Sequence, residues 1–139
     1  MKTKLKEIDM EDMLEKFFHG QNDKNWTISR QVYFGGKKID MVLIGDGTVS
    51  SIEVKISDWK TALRQANLNR LACDYSYVAM WHEDAEKAVD NLDQFIKAKV
   101  GLIVLDNKSH PFYFYSPKPK LNERLLELSK SYLMASAVR

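Results

Sequence analysis

The four residues Gly45-Asp46-Gly47-Thr48 constrain this chain more than any others. Asp-Gly is a preferred pair for a two-residue type I′ turn. Both central positions need positive φ, and the turn's twist matches that of the strands it joins. The flanking runs read as those strands. Residues 38–44 are apolar on both faces apart from Asp40, while 49–56 place Ile52, Val54 and Ile56 on one face and Ser51, Glu53 and Lys55 on the other. With Asp46 and Gly47 at the centre of the turn, Gly45 faces Thr48, and the register carried back sets Asp40 opposite Glu53. Opposed residues of an antiparallel pair leave the same face with Cβ atoms roughly 4.5–5.5 Å apart. The strand period adds Lys55 to that face.

Two carboxylates held that close repel each other. Lys55 offsets the repulsion if it is a structural counter-ion. A divalent cation offsets it equally well, because Mg²⁺ takes one or two carboxylates together with water and substrate phosphates. Spacing alone leaves both answers open.

The other periodicities supply the frame. Met10, Met13, Leu14, Phe17 and Phe18 recur at helical spacing over 7–18. Residues 26–34 read as a strand with Trp26, Ile28, Val32 and Phe34 on one face, closed by a turn at Gly35-Gly36. Ser57 is the expected N-cap of a helix over 57–72. A strand over 75–81 precedes an amphipathic helix over 83–98 that turns Ala85, Ala88, Val89, Leu92 and Ile96 inward. The unbroken apolar run 100–105 suits a buried parallel strand. A turn over 106–111, a short strand over 112–115 and a last helix over 122–137 complete the order αβββαβαββα. This is one mixed α/β sheet flanked by helices.

At 139 residues the expectation is one domain, and a hydrophobic share of 45% is enough for one core. No 18-residue apolar run and no signal-peptide pattern occur, so neither a membrane span nor export is expected. The lone Cys73 excludes an internal disulfide and a multi-cysteine zinc site and fits a reducing cytoplasm. A net charge of +2 is compatible with nucleic acid without arguing for it. His19, His82 and His110 have no metal-ligand spacing, and neither glycine pair has the P-loop pattern. Trp59, Tyr75, Tyr77 and Trp81 have rings that could stack on bases, although aromatics at these spacings are usually core.

The run Asp40-Met-Val-Leu-Ile, the hairpin and then Glu53-Val54-Lys55 resembles the PD-(D/E)xK signature of the restriction endonuclease-like nucleases, which include restriction enzymes and Holliday-junction resolvases. The expected αβββαβ order matches the core of that family as far as Trp81, with an αββα extension beyond it. The resemblance implies a deoxyribonuclease in which Asp40, Glu53 and the Val54 carbonyl bind Mg²⁺, with Mn²⁺ as a substitute. It gives Lys55 the task of orienting the attacking water and stabilising charge on the phosphate. Ile39 stands where the signature has proline. Some family exonucleases carry Gln-x-x-x-Tyr on the following helix; here Gln65 is followed by Asn69, so Gln65 is a candidate while the exonuclease subtype is in doubt. Many members add a carboxylate from the first helix, and Glu11, bordering the apolar stripe, is the candidate here. DNA is the implied partner, and no organic cofactor is expected. So short a chain leaves little room for a target-recognition domain, so a homodimer or a larger protein partner is expected. Two rivals stand beside this reading: a non-catalytic DNA-binding module on the same fold, and a dimeric interaction module using the aromatic C-terminal half.

Overall fold

The structure is a computed structural model describing residues 5–20, 25–106, 111–117 and 132–134. Among the described residues six strands form one mixed sheet whose spatial order repeats their order in the chain. Strands β1 (Thr27–Phe34), β2 (Lys37–Gly45) and β3 (Thr48–Lys55) make an antiparallel meander. Strands β4 (Tyr75–Trp81) and β5 (Gly101–Leu105) continue parallel to β3, and β6 (Phe112–Tyr115) closes the far edge antiparallel. Helix α1 (Glu7–His19) precedes the sheet, and α2 (Trp59–Asn69) makes the crossover that a parallel β3–β4 pair requires. The αβββαβ order expected from the sequence is therefore present. The expected last helix falls outside the described residues except for a helical turn at 132–134, as do His110 and most of the turn before β6.

The two faces of the sheet are covered separately. On one face Met10, Leu14 and Phe18 of α1, one turn apart, bury against Met41, Leu43, Ile52, Val54, Ala79 and Ile103. Each such side chain contributes roughly 1.5–3 kcal/mol when fully buried. Met13, expected in this stripe, is instead exposed. On the opposite face Ala62 and Ala66 of α2 bring that helix close to Val78 and Met80. A third cluster on the α2 side joins Val32, Ile39, Val42 and Val49 to Ala72, Cys73 and Leu133.

Three expectations are corrected. Asp58, not Ser57, caps α2, its carboxylate accepting the Thr61 N–H at 3.2 Å, and the helix ends at Asn69 rather than Ala72. The helix expected over 83–98 is broken into a 3-10 turn (His82–Asp84), α3 (Glu86–Asp90) and α4 (Leu92–Ala98). Asn91 leaves the helical conformation and its side-chain amide donates to the Lys87 carbonyl at 2.7 Å, the local competition with the backbone that asparagine favours. Phe95 enters the core beside Ala85, Ala88 and Leu92, and Ile96, expected to face inward, is exposed.

The third correction concerns β1. Trp26 and Ile28 pack with the α1 cluster, whereas Val32 and Phe34 pack with the cluster on the α2 side. Between them Gln31 has φ of 57°, a left-handed conformation rare for a non-glycine residue within a strand. The partner strand changes face at the same level, with Ile39 on the α2 side and Met41 on the α1 side. The residue between those two is Asp40.

Candidate functional site

The turn between β2 and β3 adopts the expected conformation, with φ of 52° at Asp46 and 76° at Gly47. Gly45 pairs with Thr48, and the ladder continues in step to Met41 opposite Ile52. One residue further the backbone ladder stops and the carboxylates take over. The Asp40 N–H donates to Glu53 Oε2 at 3.2 Å, and the Val54 N–H donates to Asp40 Oδ2 at 2.9 Å. Each acid is thus tied to the backbone of the other strand. The change of face at Gln31 and Asp40 releases β2 from its regular pleat where these bonds form.

A cleft of 260 Å³ opens here, lined by Glu7, Lys37, Lys38, Asp40, Glu53, Lys55, Gln65 and Asn69. It gathers four side chains that the sequence nominated: Asp40, Glu53, Lys55 and Gln65. Val54 lends its N–H to Asp40 and its side chain to the core, and is not among the lining residues. Glu11 is not in the cleft either. It is 6% exposed and accepts hydrogen bonds from Arg30 Nε at 3.1 Å and from Gln31 Nε2 at 3.2 Å. Arg30 also binds Asp12 at 2.7 Å, clamping β1 to α1. The acid that α1 delivers to the cleft is Glu7, one turn earlier, whose Oε2 accepts the Ile56 N–H at 3.2 Å just past the end of β3.

Asn69 is the other residue the sequence reading passed over. It is buried, and its Nδ2 donates to Glu53 Oε2 at 3.2 Å. Its place four residues after Gln65 was the available signal. The position faces the cleft although the residue there is not tyrosine.

The electrostatics follow from burial. Glu53 is 2% exposed, and desolvation, followed by the Asp40 charge, pushes its pKa from 4.5 up to about 7 against the opposing pull of the Asp40 N–H and Asn69. Asp40 is also raised, chiefly by burial and in part by Glu7, while the Val54 N–H, Lys55 and Lys38 act to lower it. Glu11 is raised by burial, against the hydrogen bond from Arg30, and the Asp40 charge adds to the rise. The cleft thus sets three carboxylates, Glu7, Asp40 and Glu53, against three lysines, Lys37, Lys38 and Lys55, with Asp40 and Glu53 raised chiefly because they are buried.

Asp40 Oδ1 and Glu53 Oε1 accept no hydrogen bond from the described residues, and no buried side-chain polar atom there lacks a partner. These two oxygens are consequently open to the cleft. Two fixed carboxylates with one open oxygen each suit a hard divalent cation that keeps some of its water. Among the described residues no group of three or more His, Cys, Asp or Glu side chains is arranged to hold a metal, so a cation here would need further ligands from the backbone, solvent or substrate. No helix among the described residues is long and apolar enough to cross a membrane.

No family model matches the chain, and no curated protein matches it. Among solved structures it is similar to an fdxN element excision controlling factor protein from Anabaena variabilis, at 19% identity and a TM-score of 0.48, over 75% of this chain and 99% of that one. It is also similar to SfsA from Pyrococcus furiosus, solved in complex with Ca²⁺, at 8% identity and a TM-score of 0.41; the match covers 77% of this chain and 58% of SfsA.

Proposed function

We propose that the chain is a Mg²⁺-dependent deoxyribonuclease with a restriction endonuclease-like core. The observation that carries this reading is the convergence of Asp40, Glu53 and Lys55 in one cleft, with each carboxylate tethered through one oxygen and open through the other. Asp40 and Glu53 would hold the cation, with the Val54 carbonyl as a further ligand. The bound ion would supply polarisation of the phosphoryl group and a lowered pKa for bound water. Asn69 and the Asp40 N–H keep Glu53 oriented. Lys55 places a compact positive charge beside the carboxylates, where it stabilises charge developing on the phosphate oxygens and orients the attacking water. Lys37 and Lys38, on the rim, attract the neighbouring phosphates. Gln65 adds a neutral amide able to bond water or a phosphate oxygen.

The test is cleavage of linear, nicked, branched and single-stranded DNA with Mg²⁺ or Mn²⁺. Wild type should cut at least one of these, and a folded Lys55→Ala protein should lose that activity. Undiminished cleavage by Lys55→Ala would refute the assignment. Salt-sensitive DNA binding with no cleavage of any substrate would leave a binding module on the same scaffold. A concentration-dependent mass without DNA binding would leave a dimeric interaction module.

A further inference from the structure

A second and larger concavity, 460 Å³, lies at the hairpin end of the sheet on the face that carries α1. Its volume falls within the range of small-molecule sites. Its walls are aromatic: Trp26, Tyr75, Tyr77 and Tyr113 line it. Tyr75 and Tyr77 lie 6.3 Å apart between ring centroids and only 21° from parallel, and Tyr113 meets Tyr77 edge-on at 5.8 Å.

Two glycines make room for these walls. A Cβ on Gly45 would stand 2.8 Å from the Trp26 ring, and one on Gly101 would stand 2.3 Å from the Tyr77 ring. Glycine weakens a strand unless another group must approach its backbone closely. Here the approaching group is in both cases an aromatic wall of this cavity, Trp26 or Tyr77, each of which also packs against the α1 cluster and is held in place by it. Trp59, by contrast, is a core residue on the opposite face of the sheet, and Trp81 is buried in the α1 cluster without lining the cavity.

The polar lining narrows the ligand. Among the described residues no Lys or Arg lines the cavity, so none of these supplies a charge that answers a phosphate or carboxylate. Asp46 supplies a carboxylate at the turn, and Ser50 supplies a hydroxyl from β3. Burial pushes the Tyr113 phenol up to about 12 and raises that of Tyr77, whose hydroxyl is engaged with Ser116 Oγ at 3.0 Å, so both phenols stay uncharged. Flat apolar walls, neutral donors and one acceptor carboxylate suit a planar uncharged heterocycle with N–H groups on its edge. We propose that this cavity binds a nucleobase, stacked against the Tyr75, Tyr77 and Trp26 rings with its N–H edge toward Asp46. An unpaired base in a single strand and a free nucleoside present the same group. The inference is independent of the metal reading, because Asp40 and Glu53 do not line this cavity.

The experiment is calorimetric titration in EDTA, so that cleavage plays no part. One arm uses the four nucleosides up to millimolar concentration. The other uses a short single-stranded DNA and the same strand with one residue made abasic. Saturable binding is expected in at least one arm, with at least a tenfold loss of affinity in Ser50→Leu, whose side chain fills the cavity. Tyr75→Ala, which removes a wall, should lose affinity comparably and serves if Ser50→Leu fails to fold. Binding in the nucleoside arm assigns the site to the base alone; binding only to the strand, weakened by the abasic change, assigns it to a strand-borne base. No saturable binding in either arm overturns the proposal, as does binding that folded variants leave unchanged.

Discussion

Glu53→Gln should make the metal-free protein more stable at neutral pH. The folded state holds the Glu53 proton up to a pKa of about 7, whereas the unfolded chain releases it near 4.5. Between those values the native state binds more protons than the unfolded state, so stability falls as pH rises. The contribution is fully favourable below about pH 4.5 and is lost by about pH 7. At about 1.4 kcal/mol per pH unit the gap amounts to at most about 3.5 kcal/mol. Glutamine keeps the geometry, since its Oε1 can accept the Asp40 N–H and the Asn69 amide in the carboxylate's place. Wild type and Glu53→Gln should therefore have equal stability near pH 4 and diverge to about 3 kcal/mol at pH 8, a melting-temperature gap of roughly 10 °C for a chain of this size. Urea denaturation in EDTA across this range measures the divergence. Adding Mg²⁺ at pH 8 should close most of the gap, because the cation stabilises only the protein that retains both carboxylates. Parallel pH profiles would refute the burial argument, and an unchanged gap with Mg²⁺ would refute metal binding at this pair.

Arg30→Met strands the buried Glu11 carboxylate, so it should cost about 3 kcal/mol at pH 7 by chemical denaturation, and the loss should shrink as acid protonates Glu11. Asn69→Leu removes a buried donor to Glu53 and should cost about 2 kcal/mol at pH 8 while moving the onset of Mg²⁺-induced stabilisation to higher pH. Gly47→Ala forces a Cβ into φ of 76° and should lower stability by about 1 kcal/mol, with Gly47→Asn closer to wild type in the same thermal melt.

The carboxylate pair was legible because a two-residue turn with a strong local signature propagates its register along both strands, and nothing between Gly45 and Met41 interrupts it. The acid from the first helix was not. Periodicity identifies which side of a helix faces the sheet but not which turn reaches a given strand level, so Glu7 and Glu11 were distinguishable only in three dimensions. The same limit hid the change of face in β1. Strict alternation assumes an unbroken pleat, and one left-handed residue at Gln31 moved Val32 and Phe34 to the opposite core. Asn91 likewise looked like an ordinary helix position until its side chain was seen bonded to the backbone. The long-range partners Arg30 with Glu11 and Asn69 with Glu53 carry no sequence signal of their own, because each depends on packing between separate elements.

The agreement between sheet order and chain order bears on how the molecule is built in time. Every strand hydrogen-bonds the one that follows it in the chain, so each can dock on an edge already in place without waiting for a distant segment. Such an order keeps the loops that must close short: partners across the parallel pairs, Ser50 with Tyr75 and Tyr77 with Gly101, lie about 25 residues apart and the antiparallel partners closer. Asp40 and Glu53 sit on the second and third strands to emerge during synthesis, and Asn69 arrives with the helix immediately after them. The acidic cleft is thus lined by side chains from residues 7–69 alone, whereas the aromatic cavity also draws on β4, β5 and β6.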